Sequence, residues 1–461
     1  MQKYLIKNIN VVNEGNIITT DIAFANGIIE KINSNITLQG AYTLIDGTGK
    51  YLLPGIIDDQ VHFREPGLTH KATIQSEAKA AVAGGTTSFM EMPNTVPPVF
   101  TTELLEQKYA LAAQCSVANY SFYMGTSNDN ATEALKVNEL KNDVCGIKIF
   151  MGSSTGGLLV DNYLTLNNLF ANSEVLIATH CEDENIIAHN LALLHQHNTK
   201  LTAAHHPIIR DADACFASSH AAIQLAHKHN TRLHVLHIST LKELQLFGNM
   251  LPLANKRITA EVCVHHLHFT ANDYATLGYQ LKCNPAIKDG DNKYALWKAL
   301  LNGTLDVIAT DHAPHTMAEK GLWRNAEAKL MPTNDAAYNH THAGLPLVQH
   351  NLLLMLHYHK LGIITLEQIV EKMCHNVAIC FQVHNRGYLR EGYYADAVIV
   401  DLHNSTTITN DNLLYHCGWS PLEGTTMPAS VTHTFVNGNL VYGNGVINDS
   451  ILGSRLTFNR N

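Results

Sequence analysis

Eight short apolar runs punctuate the middle of the chain: Gly55–Val61, Thr86–Met92, Tyr120–Met124, Gly146–Phe150, Val175–Thr179, Arg232–Leu236, Ile258–Val262 and Asp306–Thr310. Runs of this length, apolar nearly throughout, fit strands buried on both faces, as in parallel sheets. Between most of them lie segments with helical periodicity, such as Ser76–Ala83 and His220–His227. Strands alternating with helices in this number predict an α/β chain folded as a (β/α)8 barrel. An open doubly wound sheet is the rival, but its GxGxxG fingerprint after the first strand is absent.

The two ends have a different texture. Tyr4-Leu5-Ile6, Asp21-Ile22-Ala23-Phe24 and Ile28-Ile29 read as strands separated by turn residues such as Asn13-Glu14-Gly15-Asn16 and Asn26-Gly27. Near the other end, Ala397-Val398-Ile399-Val400 reads as a strand. Thr434-Phe435-Val436 and Leu440-Val441-Tyr442 read as a hairpin around Asn437-Gly438-Asn439. The predicted organisation is one small β-sandwich domain built from residues 1–53 and 386–461, flanking a metal-dependent catalytic barrel over 54–385.

Composition narrows the function classes. The 461 residues are 46% hydrophobic and 15% charged, enough for a large core and unlike a disordered chain. A formal charge of -9 with no basic run argues against nucleic-acid binding. No apolar stretch of membrane-spanning length occurs, and Met1–Asn10 lacks the apolar core of a secretory signal, so a cytoplasmic location is expected. Nine scattered cysteines without a CxxC pair fit reduced thiols. The 28 histidines are the unusual feature. Most are read as ordinary, including His350, His357 and His359 in a predicted helix and the His265-His266 pair, which is read as structural.

Polar residues gather where the apolar runs end. The first run leads into Asp58-Asp59-Gln60-Val61-His62-Phe63-Arg64-Glu65, and the second into Met92-Pro93-Asn94-Thr95. Lys148 lies inside the fourth, and the fifth, sixth and eighth lead to His180, His237 and Asp311. In a barrel these ends share one mouth, where catalytic groups of that fold sit. His62, His180, His237 and Asp311 supply imidazoles and a carboxylate, a donor set suited to a zinc-like divalent ion. A lysine in an apolar strand needs its charge paired or removed. Lys148 is therefore either salt-bridged to an acid or carboxylated by carbon dioxide. Bland readings stand beside the others too: backbone-bonded core histidines for His180 and His237, a helix N-cap for Asp311, an ion pair between Arg64 and Glu65, and a turn residue for Asn94.

These motifs, together with Pro54-Gly55-Ile56-Ile57-Asp58, Pro66-Gly67, Glu91-Met92-Pro93-Asn94-Thr95, His180-Cys181-Glu182, His234-Val235-Leu236-His237-Ile238-Ser239, Asn284-Pro285, Thr310-Asp311-His312-Ala313-Pro314-His315, Arg386-Gly387, Gly392-Tyr393-Tyr394-Ala395-Asp396 and Gly418-Trp419-Ser420-Pro421, span nearly the whole chain. Over that length the chain resembles class I bacterial dihydroorotases of the amidohydrolase superfamily. The resemblance implies a barrel joined to a small β domain, and one or two Zn2+ ions held by His62, carboxylated Lys148, His180, His237 and Asp311. It implies Arg64, Asn94, Asn284 and His315 as substrate-binding residues and Asp311 as the catalytic acid–base group. The implied reaction is reversible cyclisation of N-carbamoyl-L-aspartate to L-dihydroorotate in pyrimidine biosynthesis. The implied partners are that small-molecule substrate, a second copy in a homodimer, and aspartate transcarbamoylase. Dihydropyrimidinase and allantoinase share the fold and ligands, and an inactive structural partner of aspartate transcarbamoylase is the reading from another class.

One departure stands out. The family carries an HxH pair on the first strand, and this chain has Gln60-Val61-His62. An amide oxygen is a weaker zinc ligand than imidazole. One firmly bound zinc is therefore expected, with a second held loosely or not at all. The stretch 321–342 also fits the family poorly and is read as a lid over the site.

Overall fold

The computed structural model describes every residue except 1, 38–39, 153–155, 198, 334–336 and 461. Eight parallel strands bond in chain order: Ile56–Val61, Thr86–Glu91, Asn119–Gly125, Gly146–Phe150, Ile177–His180, Leu233–Val235, Ile258–Cys263 and Val307–Ala309. Each coincides with one apolar run of the sequence, with ends displaced by no more than two residues. The ring closes between the last and first strands. His62 N–H donates to the His312 carbonyl at 2.7 Å, and Val61 bridges His312 in parallel. The Asp58 carboxylate accepts from Thr310 N–H at 3.2 Å and Thr310 Oγ1 at 2.7 Å, stitching the seam inside the barrel.

Helices pack outside this barrel, most of the longer ones started by a specific cap. Thr73 closes a capping box on Ile74–Ala83, Thr101 caps Thr102–Cys115, and Asp211 caps Ala212–His229. The last of these ends at Asn230 in the left-handed conformation, φ 53°. Their apolar faces merge with the outward faces of the strands into one large core that includes Ile74, Val82, Leu105, Ile147, Ile177 and Leu233.

Strands from both ends of the chain form a second, nine-stranded sheet. Its central join is antiparallel pairing of Tyr51–Pro54 with Ala397–Asp401, which brings the two halves together. Tyr4–Asn13 forks the sheet, pairing its first residues with Thr43–Asp46 and its later ones with Tyr51-Leu52. Two hairpins turn on Glu14-Gly15 and Asn437-Gly438, all four with positive φ, the turn that suits strand twist. The buried face carries Ile6, Ile22, Phe24, Leu52, Ile399 and Phe435. Residues 454–460 leave this sheet and run under the barrel, where Arg455 bridges Tyr120 and Phe458 bridges Val383.

Candidate active site

A cavity of about 730 Å³ opens at the C-terminal ends of the barrel strands. Gln60, His62, Arg64, Asn94, Lys148, His180, Asn284, Asp311 and His315 all line it. His237 stands behind this wall and reaches it through His180, whose Nδ1 lies 2.9 Å from His237 Nε2. A second pair faces the cavity from the barrel seam: His62 Nε2 is 3.1 Å from Asp311 Oδ1, and Gln60 Nε2 donates to the same oxygen at 3.2 Å. His62 Nδ1 meets Asn94 Oδ1 at 2.7 Å, tying the first and second strand ends together. Asp311 caps no helix, and Arg64 and Glu65 form no pair, since Glu65 accepts instead from Ile74 N–H at 2.8 Å.

Three of these residues hold unusual backbone conformations. Arg64, His237 and Asp311 lie at φ 70°, 39° and 48°, each just beyond a strand end. Side-chain-bearing residues in this region are strained by about 1–3 kcal/mol each, so the surroundings must fix them. Glu261 does so for His237, its carboxylate accepting the His237 N–H at 3.0 Å. Beneath it, His234 Nε2 lies 3.2 Å from both Asp59 and Glu261, in a fully buried triad. The flanking carboxylates overcome burial and hold the His234 imidazole up at about 9. The loop after the first strand is fixed likewise: Glu91 accepts from Phe63 N–H at 2.9 Å and pairs with buried Lys108 at 3.0 Å.

Burial sets the charge states. It pushes the His237 imidazole well below its ordinary range, with His180 and Lys148 acting the same way, so His237 is neutral and able to donate a lone pair. Burial also pushes the Lys148 ammonium down to about 7, against the opposing pull of Asp311 and Glu261. Lys148 forms no salt bridge among the described residues. Its Nζ instead lies 4.5 Å from the Phe150 ring. The salt-bridge reading of this lysine is therefore not what the structure adopts. Burial works against ionisation of Glu182, yet Arg210 and His180 hold its carboxyl down at about 2. His180 Nε2 faces that carboxylate at 3.0 Å, which orients its Nδ1 towards His237. The His180–His237 nitrogen pair, His62 Nε2 and the Asp311 carboxylate make a donor set that suits a zinc-like ion, with Gln60 contributing only an amide.

The opposite wall is basic. Arg64 Nε donates to the Pro314 carbonyl at 3.1 Å, and its Nη2 lies 3.1 Å from His315 Nε2. Lys71 Nζ is 3.3 Å from His315 Nδ1 and pairs with Glu319 at 3.0 Å. Burial lowers the Arg64 guanidinium to about 10, leaving it cationic at neutral pH. Among the described residues no carboxylate pairs with Arg64. Lys71, Arg210 and His342 also line the cavity and were not singled out in the sequence. Glu319, four residues beyond His315 in a turn, faces it at 3.6 Å; Arg210 lies in a loop.

Within the 321–342 stretch, Leu322–Arg324 and Leu330–Pro332 form a hairpin, while 334–336 lie outside the described residues. Arg324 pins it to Glu423 at 2.8 Å and 2.9 Å. The fully buried Lys320 donates to the carbonyls of Lys282, His342 and Gly344. These bonds hold the segment that brings His342 to the cavity rim.

The chain matches the amidohydrolase family over residues 51–441. It is 32% identical over 430 residues to a dihydroorotase of Methanosarcina acetivorans, covering 91% of this chain and 88% of that protein. It is 32% identical over 445 residues to a dihydroorotase of Bacillus cytotoxicus, covering 95% and 98%. Among solved structures, L-hydantoinase (dihydropyrimidinase) from Arthrobacter aurescens superposes with a TM-score of 0.90 at 23% identity, covering 100% of both chains. Dihydropyrimidinase from Brevibacillus agri does so with a TM-score of 0.85 at 22% identity, again over 100% of both. At that identity the structures speak for the fold alone. With the match covering most of the sequence and the relatives agreeing, the chain belongs to the amidohydrolase family.

Proposed function

We propose that the protein is a zinc-dependent dihydroorotase, interconverting N-carbamoyl-L-aspartate and L-dihydroorotate. The observation that carries this reading is Arg64, a buried guanidinium on the cavity wall with no carboxylate of the described chain paired to it. A buried cation with acids nearby but no carboxylate bonded to it suits an anionic ligand, and the guanidinium fork bonds a carboxylate in two places. Dihydroorotate carries such a carboxylate on its ring, while the ring substrates of dihydropyrimidinase and allantoinase carry none at that position. The relatives named dihydroorotase support the same substrate.

In this reading Arg64, Asn94 and His315 hold the substrate carboxylate and Asn284 borders the ring, which converts binding into orientation. His62, His180, His237, Asp311 and a carboxylated Lys148 hold the metal. A bound zinc would act as a Lewis acid on the amide carbonyl and would acidify a water molecule. Asp311 takes the proton from the attacking water and returns it to the leaving ring nitrogen, as base and then acid. Lys148 becomes a ligand by carboxylation. Its neutral Nζ attacks carbon dioxide, an N–C bond forms, one C=O pair moves onto oxygen, and an Nζ proton leaves to solvent. Burial favours the neutral amine that this step needs.

The test is hydrolysis of L-dihydroorotate, dihydrouracil and allantoin by one preparation whose metal content is measured alongside. Turnover of dihydroorotate well above the other two is expected. Preference for dihydrouracil would move the protein to the dihydropyrimidinases, and no turnover by the metal-loaded protein would favour the inactive partner of aspartate transcarbamoylase.

A further inference from the structure

Behind Gln60 lies a second group of ligating atoms. Cys263 ends the seventh barrel strand, and His265 and His266 lie in the short helix Val264–His268 that follows. One ligand atom from each falls within 4.8 Å of the other two. All three side chains are buried, and their surroundings leave them under-used. Among the described residues no well-formed hydrogen bond reaches His266 Nδ1 or either ring nitrogen of His265, to which the Thr310 backbone stands as a looser contact; His266 Nε2 lies 3.1 Å from the Pro285 carbonyl. Buried imidazole nitrogens are ordinarily satisfied, so three without a well-formed bond in adjacent rings point to a missing bonding partner. The rings lie 4.1 Å apart at 45°, leaving their nitrogens close without a bond between them.

We propose that Cys263, His265 and His266 form a further metal site, holding a zinc-like divalent ion with Gln60 Oε1 beside it. Sulfur and two imidazole nitrogens are donors that zinc accepts, in tetrahedral geometry. The Gln60 oxygen is 3.8 Å from Cys263 Sγ. In a tetrahedral ion with Zn–S about 2.3 Å and Zn–O about 2.1 Å, sulfur and oxygen stand about 3.6 Å apart. The pair is therefore spaced for a shared ion, and with all ligand atoms within 4.8 Å of one another the group needs to contract by no more than roughly an ångström to close on it. The Gln60 amide is turned to suit this, since its nitrogen donates to Asp311 and leaves Oε1 towards Cys263.

The local field favours a cation. Burial pushes the Cys263 thiol well above its ordinary range, and Glu261, Asp311, Asp58 and Asp59 push in the same direction. The acidic neighbours that disfavour a free thiolate would stabilise a divalent ion at the same place, against a burial that penalises any charge. Binding forms an S–metal bond and releases the thiol proton to solvent. The site gives Gln60, which stands where the family has a histidine, a ligating role of another kind.

Cobalt substitution tests this without reference to turnover. A cobalt–thiolate bond produces a near-ultraviolet charge-transfer band that imidazole, carboxylate and amide ligands do not. Metal-stripped protein titrated with Co2+ is expected to develop this band. Cys263→Ser should lose it and bind one ion fewer per chain, whereas His180→Asn should retain it. If Cys263→Ser does not fold, His265→Gln replaces it, with cobalt affinity at the band-forming site expected to fall about 10–100-fold. Cobalt binding by the wild type without the band, or a band unchanged in the Cys263→Ser or His265→Gln protein, would overturn the proposal. The dihydroorotase assay and the band can each fail while the other succeeds.

Discussion

The Gln60 side-chain amide donates to Asp311 Oδ1 at 3.2 Å, and His62 Nε2 meets that same oxygen at 3.1 Å. Two side chains of the first strand thus fix the carboxylate that follows the eighth. Neither engages Oδ2, so the proposed acid–base group has one oxygen anchored and one left to exchange a proton. Replacing Asp311 by Asn keeps the shape and removes the base. The expected result is a kcat lower by about 10²–10⁴-fold with substrate affinity nearly unchanged. Steady-state kinetics with an independent binding measurement checks this, and retention of more than roughly a tenth of wild-type kcat would count against the role.

Arg64→Met removes the cation from the basic wall. A hydrogen bond to a charged group is worth about 1.5–3 kcal/mol, so kcat/KM for dihydroorotate should fall by about 10–150-fold. Any slow hydrolysis of dihydrouracil should be spared, because that ring has no carboxylate to lose. An equal loss on both substrates would mean that Arg64 serves the fold and not the ligand.

Lys148→Arg keeps a cation where the amine stood and cannot be carboxylated. Turnover should fall by on the order of a hundredfold or more, and the metal content should drop with it. Carbon-13 bicarbonate should give a carbamate resonance in the wild type that the variant lacks. A wild-type spectrum without that resonance would refute the modification directly.

Lys108→Met strands the Glu91 carboxylate in the core. Removing one partner of a buried pair typically destabilises by about 3–5 kcal/mol, which for a chain of this size lowers Tm by roughly 3–7 °C. The double variant Lys108→Met/Glu91→Gln should recover much of this, since no charge is then left buried and the amide oxygen still faces Phe63 N–H. Thermal unfolding of the three proteins decides it.

The barrel was legible because each strand is a short run rich in apolar residues, and burial on both faces leaves that mark in the sequence. The positions at the strand ends were legible for the same reason: Gln60, His62, Lys148, His180 and Asp311 interrupt or end those runs, and all reach one cavity. What the runs could not reveal was pairing across the barrel. Asp59, His234 and Glu261 sit on three strands and read separately as ordinary polar residues, yet they meet in one buried triad. The His265-His266 pair read as structural because nothing local showed that its nitrogens would lack well-formed bonds. Arg210 and Lys71 come from loops, where no periodicity marks a direction. The left-handed backbone at Arg64, His237 and Asp311 is imposed by tertiary bonds such as Glu261 to His237 N–H, and short-range propensity does not encode it.

The strand-like tail at 454–460 has a consequence for how the molecule is made. Arg460 donates to the carbonyls of Lys141, Val144, Cys145 and Phe381, and Leu456 and Phe458 fill the apolar base among Met90, Tyr123 and Leu176. The carbonyl partners of Arg460, apart from Phe381, lie more than 300 residues earlier. As the chain grows on a ribosome, the barrel can align its eight strands but its underside stays unsealed until residues 454–460 arrive. Such long-range closure is slow and leaves apolar surface open meanwhile. For this protein residues 454–460 act as a plug, and a chain without them would leave the apolar base of the barrel exposed.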